Sequence, residues 1–311
     1  MNHELISVVM PCFNARAFVE QAVRSALGQD YANIELIVVD DGSTDGSRDI
    51  LAQLKGAYPG RMTVLHQQNQ GPYPARNAGL GRANGTLVAF LDADDYWAVD
   101  CLTKLHRTLQ SSAADLVYCG WQNVGDTAGK EPFVPPPYES QDTVAMFLRG
   151  CPWPIHAALS RRKILERVGG FSVRRFSAMD YDLWLRILAV TRKIVRLPEV
   201  LAFYRWHDQG QISSLKWRQV LDAWQVRRDF VQDHPDLVAH LSRQARRELV
   251  DGPLLKAGYA AYWKRDLVSA QRLFRKAARQ GYWHLRDVKF VLPSLLPSGI
   301  YRRFIEAADR R

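Results

Sequence analysis

The sequence predicts an α/β fold, with a mostly parallel central sheet flanked by helices, followed by an all-helical C-terminal region. Three observations predict it. Short apolar runs alternate with helical patterns through the first half of the chain. Acidic turns follow directly on two of those runs. From Leu215 onward only helical spacing remains.

The elements follow in order. Leu5–Met10 is a short apolar, β-rich run. Phe18, Ala22, Val23, Ala26 and Leu27 then recur at helical spacing. Ile34–Val39 is the next strand, followed by the turn Asp41-Gly42-Ser43 and a helix to about Lys55. Met62–Leu65 is a third strand, Pro74–Ala83 a helix and Leu87–Leu91 a fourth strand. Continuous apolar strands between helices indicate a sheet covered on both faces. Ligands of such sheets bind beyond the carboxyl ends of the strands. Trp121–Tyr138, rich in Gly and Pro with three prolines at Pro135–Pro137, is expected to be a mobile loop over the site. Ala157–Ser160 and Val200–Trp206 are further strands, with a helix at Tyr181–Val190 between them. Leu254–Gln280 has the pattern of two amphipathic helices. A domain boundary is expected near Ser214, giving domains 1–214 and 215–311.

The chain has 311 residues, 47% apolar and 24% charged, a composition that supports a sizeable core. No apolar run approaches the roughly 18 residues of a membrane span. Met1-Asn2-His3-Glu4 opens no signal-peptide pattern. Cys12, Cys101, Cys119 and Cys151 show no metal-ligand spacing, which fits reduced thiols in a cytoplasmic protein. The formal charge of +10 is uneven. Residues 1–214 hold 22 basic and 22 acidic side chains, whereas residues 215–311 hold 20 and 10. A basic segment attracts anionic partners, nucleic acid and anionic lipid among them.

Two constellations carry chemistry. Asp40-Asp41-Gly42-Ser43-Thr44-Asp45-Gly46 follows the second strand. Two adjacent carboxylates there need a cation or a ligand donor to offset their repulsion. Ser43 or Asp45 can cap the helix that starts near Gly46, which leaves Asp40 and Asp41 unexplained. Asp92-Ala93-Asp94-Asp95 follows the fourth strand. Alternating carboxylates can hold Mg²⁺ or Mn²⁺, which also take diphosphate oxygens as ligands. A solvated acidic turn is the plainer reading of the same pattern.

Taken with these, Val8-Val9-Met10-Pro11-Cys12-Phe13-Asn14, Ala75-Arg76-Asn77-Ala78-Gly79, Val168-Gly169-Gly170-Phe171 and Asp180-Tyr181-Asp182-Leu183-Trp184-Leu185-Arg186 stand in one order. As a set they resemble the family 2 glycosyltransferases of the GT-A fold, over about residues 5–208. The resemblance implies that Pro11 and Phe13 line a base pocket, with Phe13 stacking. Asp41 would accept from the base N–H, and Arg76 would lie near base or diphosphate. Asp92 would serve ribose and metal, Asp94 the metal, and Asp95 the donor sugar or acceptor. Asp180 matches the family's general base, here preceded by Met179 where the family often has Glu. It could equally cap the helix beginning at Tyr181. Asp182 would be a secondary polar contact. In Tyr204-Arg205-Trp206-His207, His207 matches a metal or diphosphate ligand. Ala202 stands where processive members carry Gln, which argues for transfer of a single sugar. Trp153 and His156 are acceptor-side candidates by position alone.

The implied reaction is inverting transfer from a nucleotide-sugar, a UDP-sugar in this reading, to a hydroxyl of a saccharide or lipid-linked acceptor, with Mn²⁺ or Mg²⁺. Two other classes fit the sequence less well. A nucleotidyltransferase would favour a Gly-rich basic loop after the first strand, where Cys12-Phe13-Asn14-Ala15 stands. A non-enzymatic nucleic-acid or lipid binder leaves Asp41, Asp92, Asp94 and Asp180 idle, so no nucleic-acid partner is expected. Gly258, Ala270, Phe274 and Ala277 fall at tetratricopeptide-like offsets and suggest a helical hairpin packed on the catalytic domain. Val288–Phe304 mixes apolar residues with Lys289, Arg302 and Arg303. That pattern suits peripheral attachment to the inner face of the cytoplasmic membrane, and it equally suits a helix packed on its own domain.

Overall fold

The computed structural model describes residues 4–125, 131–207 and 216–308. Its described residues form two compact units, one of residues 4–125, 131–143, 151–174 and 182–207, the other of 144–150, 175–181 and 216–308.

The first unit is built on one mixed sheet. β1 (Ile6–Cys12), α1 (Val19–Leu27), β2 (Ile34–Asp40), α2 (Ser47–Ala57), β3 (Met62–His66), α3 (Pro72–Leu80) and β4 (Leu87–Phe90) alternate as the hydrophobic pattern predicts. β1, β2, β3 and β4 are mutually parallel, and β1 is buried along its whole length. The chain continues through β5 (Tyr96–Trp97), α4 (Cys101–Ser111), β6 (Leu116–Val124), β7 (Pro132–Phe133), α5 (Thr143–Arg149), β8 (Ala158–Arg161), α6 (Arg162–Arg167), α7 (Met179–Val190) and β9 (Ile194–Arg205). The strand order is β3-β2-β1-β4-β8-β6-β9-β5, with β7 against β6. The longest pairings, β1 with β2 and β6 with β9, are parallel; β8 runs antiparallel to both β4 and β6. Strand order reverses between β1 and β4, and a crevice opens at such a reversal beyond the carboxyl ends of the strands.

Two segments differ from the sequence reading. Trp121–Val124 is the end of β6 and not a loop, because polar Gln122 and Asn123 interrupt an apolar run that the backbone pairing with β9 carries through. The proline segment is fastened as well: Tyr138 is buried and donates its N–H to the Tyr118 hydroxyl, which donates to the carbonyl of Pro136. β9 begins at Ile194, earlier than Val200. A register shift opposite Gly120 leaves Pro198 and Glu199 outside the ladder, where a residue without an N–H is tolerated.

The second unit gathers α8 (Lys216–Asp233), α9 (Arg243–Trp263), α10 (Leu267–Arg279), α11 (Val288–Val291) and α12 (Ser298–Ala308) around its own core of Trp224, Leu254, Phe274, Val291, Tyr301 and Ile305. Ser242 and Asp266 cap α9 and α10 by accepting backbone N–H groups. α9 and α10 form the expected hairpin, with α9 starting at Arg243. A Cβ on Gly258 would sit 2.8 Å from the Phe274 ring, so only glycine allows this approach. The boundary near Ser214 lies outside the described residues. Among the described residues, no helix is long and apolar enough to cross a membrane. All four cysteines are free thiols, and Cys12, Cys101 and Cys119 are buried.

Candidate active site

The two acidic turns are held in different ways. Asp40, fully buried at the end of β2, is met by Arg48 Nε at 2.5 Å, His66 Nδ1 at 3.1 Å and the Ser43 N–H at 3.0 Å. Burial raises its carboxyl, but these hydrogen bonds outweigh burial and hold it below the usual range. Asp41 Oδ1 accepts from Gln67 Nε2 and the Gln70 N–H, and Oδ2 from the Gly71 N–H at 2.7 Å. The protein therefore offsets both carboxylates itself, and no ligand donor is required to explain them. Oδ2 of Asp41 keeps a lone pair for one more donor. Ser43 does not cap α2: its hydroxyl accepts from the Asn14 N–H, and Asp45 accepts from Arg16 and Ser47. These bonds tie the loop after β1 to the loop after β2. Pro11 is buried in β1, whereas Phe13, just past its end, is 49% exposed.

At the end of β4, Asp92, Asp94 and Asp95 place three carboxylate oxygens within 4.8 Å of one another. Each has a partner. Arg76, buried on α3 and flanked by the Tyr73 and Phe171 rings, donates to Asp92 Oδ1. His207 Nε2 lies 3.0 Å from Asp94 Oδ2, and its ring packs on Phe18. His156 Nδ1 lies 3.0 Å from Asp95 Oδ2, and both residues are almost fully buried. Arg205, the last residue of β9, donates its backbone N–H to Asp95 Oδ1 at 2.8 Å and its Nε–H to the Asp94 carbonyl at 2.9 Å.

Crowding shapes the protonation of this turn. Burial, then the charges of Asp95 and Asp92, push the Asp94 carboxyl up to about 6, although part of its side chain meets solvent. Burial also raises Asp95. For His156 burial opposes the charged ring, yet the adjoining Asp95 outweighs it and favours the imidazolium. Asp95 is 1% exposed and turned inward. Its carboxylate accepts from the Arg205 N–H and lies against His156, which anchors the turn to β9. His156 and Trp153 are likewise closed off. Trp153 stacks on Tyr118 at 4.1 Å between centroids, so neither is open to an acceptor.

The chemistry of the donor set fits a hard divalent cation. Three clustered carboxylates and an imidazole supply oxygen and nitrogen ligands, and a cation would relieve the repulsion that raises Asp94. Asp92, Asp94 and His207 are the residues able to hold it, with Asp95 adding charge from behind.

Two further motifs meet through one side chain. Asn77 on α3 donates to the Phe171 carbonyl and accepts from the Phe171 N–H, both at 2.8 Å. The segment Val168–Phe171 is thereby pinned beside Arg76.

Asp180 lies in the first turn of α7, whose residues 179–181 group with the second unit and whose remainder belongs to the first. The helix starts at Met179, so Asp180 does not precede it as a cap; its Oδ1 accepts from the Tyr181 N–H. The preceding turn is held by α8. Asp222 Oδ2 accepts from both the Ser177 N–H, at 3.0 Å, and its hydroxyl, at 2.6 Å; Arg175 pairs with Asp229. Ala178, directly after Ser177, adopts φ +59°, a region unfavourable for a residue with a Cβ. Asp182 pairs with Arg186, which also donates to the Val168 carbonyl, a structural contact as expected. Asp222 and Asp229 carried no sequence signal, because partners on a distant helix have no local spacing to reveal them.

Residues 7–181 match glycosyl transferase family 2. A putative teichuronic acid biosynthesis glycosyltransferase, TuaG of Bacillus subtilis, is 32% identical over 74% of this chain and 90% of its own. WfaP of Escherichia coli, a UDP-Glc:α-D-GlcNAc-diphosphoundecaprenol β-1,3-glucosyltransferase, is 30% identical over 70% of this chain and 83% of its own. In fold the chain is similar to a mannosyltransferase of Pyrobaculum calidifontis, solved with GDP-Man and Mn²⁺, at TM-score 0.60 and 20% identity, covering 96% of this chain and 87% of that one.

Proposed function

We propose that this chain, which belongs to glycosyl transferase family 2, transfers a single sugar from a UDP-sugar to an acceptor hydroxyl, with inversion, in cell-surface polysaccharide or glycolipid synthesis. The observation that carries the reading is the cluster of Asp92, Asp94 and Asp95 beyond β4, beside the strand-order reversal, with His207 on Asp94 and Arg76 on Asp92. The relatives support the finer points: WfaP is named for a UDP-sugar and a diphosphate-linked lipid acceptor, and the mannosyltransferase binds Mn²⁺.

In this reading Phe13 stacks on the base beside Pro11, and Asp41 takes a base N–H on the spare lone pair of Oδ2. Asp92, Asp94 and His207 hold Mn²⁺ or Mg²⁺, which when bound neutralises charge developing on the diphosphate. Arg76 fixes Asp92. Asp180 takes the proton of the acceptor hydroxyl as that oxygen bonds to the anomeric carbon and the bond to the diphosphate oxygen breaks. One displacement inverts the centre, and no carboxylate nucleophile is used. A positioned base contributes about 10²–10⁴ in rate.

The test is nucleotide release from a panel of UDP- and GDP-sugars, with and without lipid-linked acceptors, in Mn²⁺ or in EDTA. The account expects acceptor-dependent release of UDP that EDTA abolishes and metal restores. Full activity in EDTA removes the metal from the mechanism; no release from any nucleotide-sugar removes the transfer.

We also infer peripheral attachment to the inner face of the cytoplasmic membrane. Leu292, Leu295, Leu296, Ile300 and Phe304 are exposed beside Arg302 and Arg303, whereas Val291, Tyr301 and Ile305 of the same segment are buried. The tail therefore has one packed face and one apolar-basic face. Truncation before Trp283 would strip core residues, so Ile300→Ser with Phe304→Ser is the sound probe. Loss of co-sedimentation with phosphatidylglycerol vesicles is expected, and unchanged sedimentation contradicts the attachment.

A further inference from the structure

The basic excess of the C-terminal region converges on one face. Arg272, Arg275, Lys276 and Arg279 occupy positions i, i+3, i+4 and i+7 of α10, so they share one side of the helix. They line an open groove of about 680 Å³ between α10, α8 and α12, to which α12 adds Arg302. That volume falls within the roughly 300–1,000 Å³ of small-ligand sites. Among the described residues, no acidic side chain lines it.

Among the described residues, the cations have no carboxylate partner within it. Arg272 lies over the Trp217 ring and Lys276 over the Trp224 ring, each at 4.0 Å from the centroid. Arg275 is spent on the carbonyls of Ser294 and Leu296 and holds the wall in shape. Burial, then Arg228 and Arg279, depress Lys276 in spite of Asp251, so the neighbourhood is positive overall. Gathering more positive than negative charge opposes folding, and an anion bound among the cations would reduce that opposition. Apolar residues line the same groove: Trp217 and Leu221 from α8, and Leu267 and Val268 from the start of α10 itself. A free phosphate would use only the cations; nucleic acid would meet an aliphatic wall.

We propose that this groove binds the phosphate or diphosphate ester of an apolar chain, with the anion on Arg272, Arg279 and Arg302 and the start of the chain along Trp217, Leu221 and Leu267. The site deepens the transferase reading, on which it rests only for the supply of a lipid-linked diphosphate; the groove itself stands on its own residues.

The experiment is equilibrium dialysis of the full chain with labelled farnesyl diphosphate below its micellar concentration. Saturating UDP and Mg²⁺ are present so that the nucleotide site is filled. Saturable one-to-one binding is expected, at least tenfold tighter than for inorganic diphosphate in a parallel arm. Arg279→Ala with Arg302→Ala should weaken it at least tenfold; Trp217→Ala should weaken farnesyl diphosphate but not inorganic diphosphate. Equal affinity for the two ligands overturns the amphiphile, and absent binding, or binding indifferent to the arginines, overturns the site. UDP-sugar hydrolysis and UDP affinity, measured on the same proteins, keep the two readings apart. Their persistence while farnesyl diphosphate fails rejects the groove alone, and their absence from the unaltered chain rejects the transferase.

Discussion

The turn after β4 and the first turn of α7 both carry carboxylates with proposed roles, yet they are built differently. Asp92, Asp94 and Asp95 are placed by the sheet: a buried strand ends, strand order reverses beside it, and Arg205 of β9 bonds the turn through its backbone N–H. Asp180 is placed by side chains: the strained turn before it is held by Asp222 and Asp229 of α8. The first arrangement is rigid and electrostatically crowded, fit for gripping a cation. The second rests on a few polar contacts, fit for presenting one group. On the proposed roles, the difference implies that binding and proton transfer can be altered separately.

The largest effect is expected from Asp180→Asn, which should lower turnover by about 10²–10⁴-fold. UDP affinity should stay near that of the unaltered chain, since the sheet supplies that binding. A change in UDP affinity comparable to the loss of turnover would merge the two regions into one.

Asp222→Ala should lower kcat by about tenfold, an amount expected when a reacting group is released from its held geometry, and leave the donor KM unchanged. Asp222→Asn keeps an acceptor oxygen for Ser177 and should recover most of the activity. Equal damage from Ala and Asn would show that the charge of Asp222, not its hydrogen bonds, matters.

The smallest effect concerns stability. The Asp94 carboxyl sits at about 6 in the folded chain, above its ordinary value of 3.8. The stability linked to this group is thus present below the ordinary value and lost as pH rises through about 6. Without metal, Asp94→Asn should raise the melting temperature at pH 7 by about 2 °C and flatten its dependence between pH 4 and pH 6, the range those values set. A lower melting temperature for the variant would mean that Asp94 is not crowded.

Much of the fold was legible because strands and helices announce themselves by period. β1, β2, β3 and β4 appear within a residue or two of the apolar runs. β6 was not, since Gln122 and Asn123 break its run, nor was the start of β9, where Pro198 sits in a register shift. At the site, clustered Asp92 and Asp94 and the family match for His207 pointed to one place, and the structure brings them into contact. The burial of Asp95 was not legible, because sequence shows a carboxylate but not which way it turns. His156 lies against Asp95, a pairing between distant segments that spacing cannot encode. Asp40 shows the converse: its neighbour-to-neighbour repulsion suggested a ligand, and Arg48 and His66 answer it internally.

The central claim is that the turn after β4 binds the donor through a cation, separately from the base on α7. Calorimetric titration of UDP, with and without Mn²⁺, into the unaltered chain, Asp94→Ala and Asp180→Asn tests it most directly. Mn²⁺ should strengthen UDP binding to the unaltered chain and to Asp180→Asn alike, whereas Asp94→Ala should lose that gain by about 10–100-fold. UDP affinity in Asp94→Ala that still rises with Mn²⁺ as in the unaltered chain would contradict the claim.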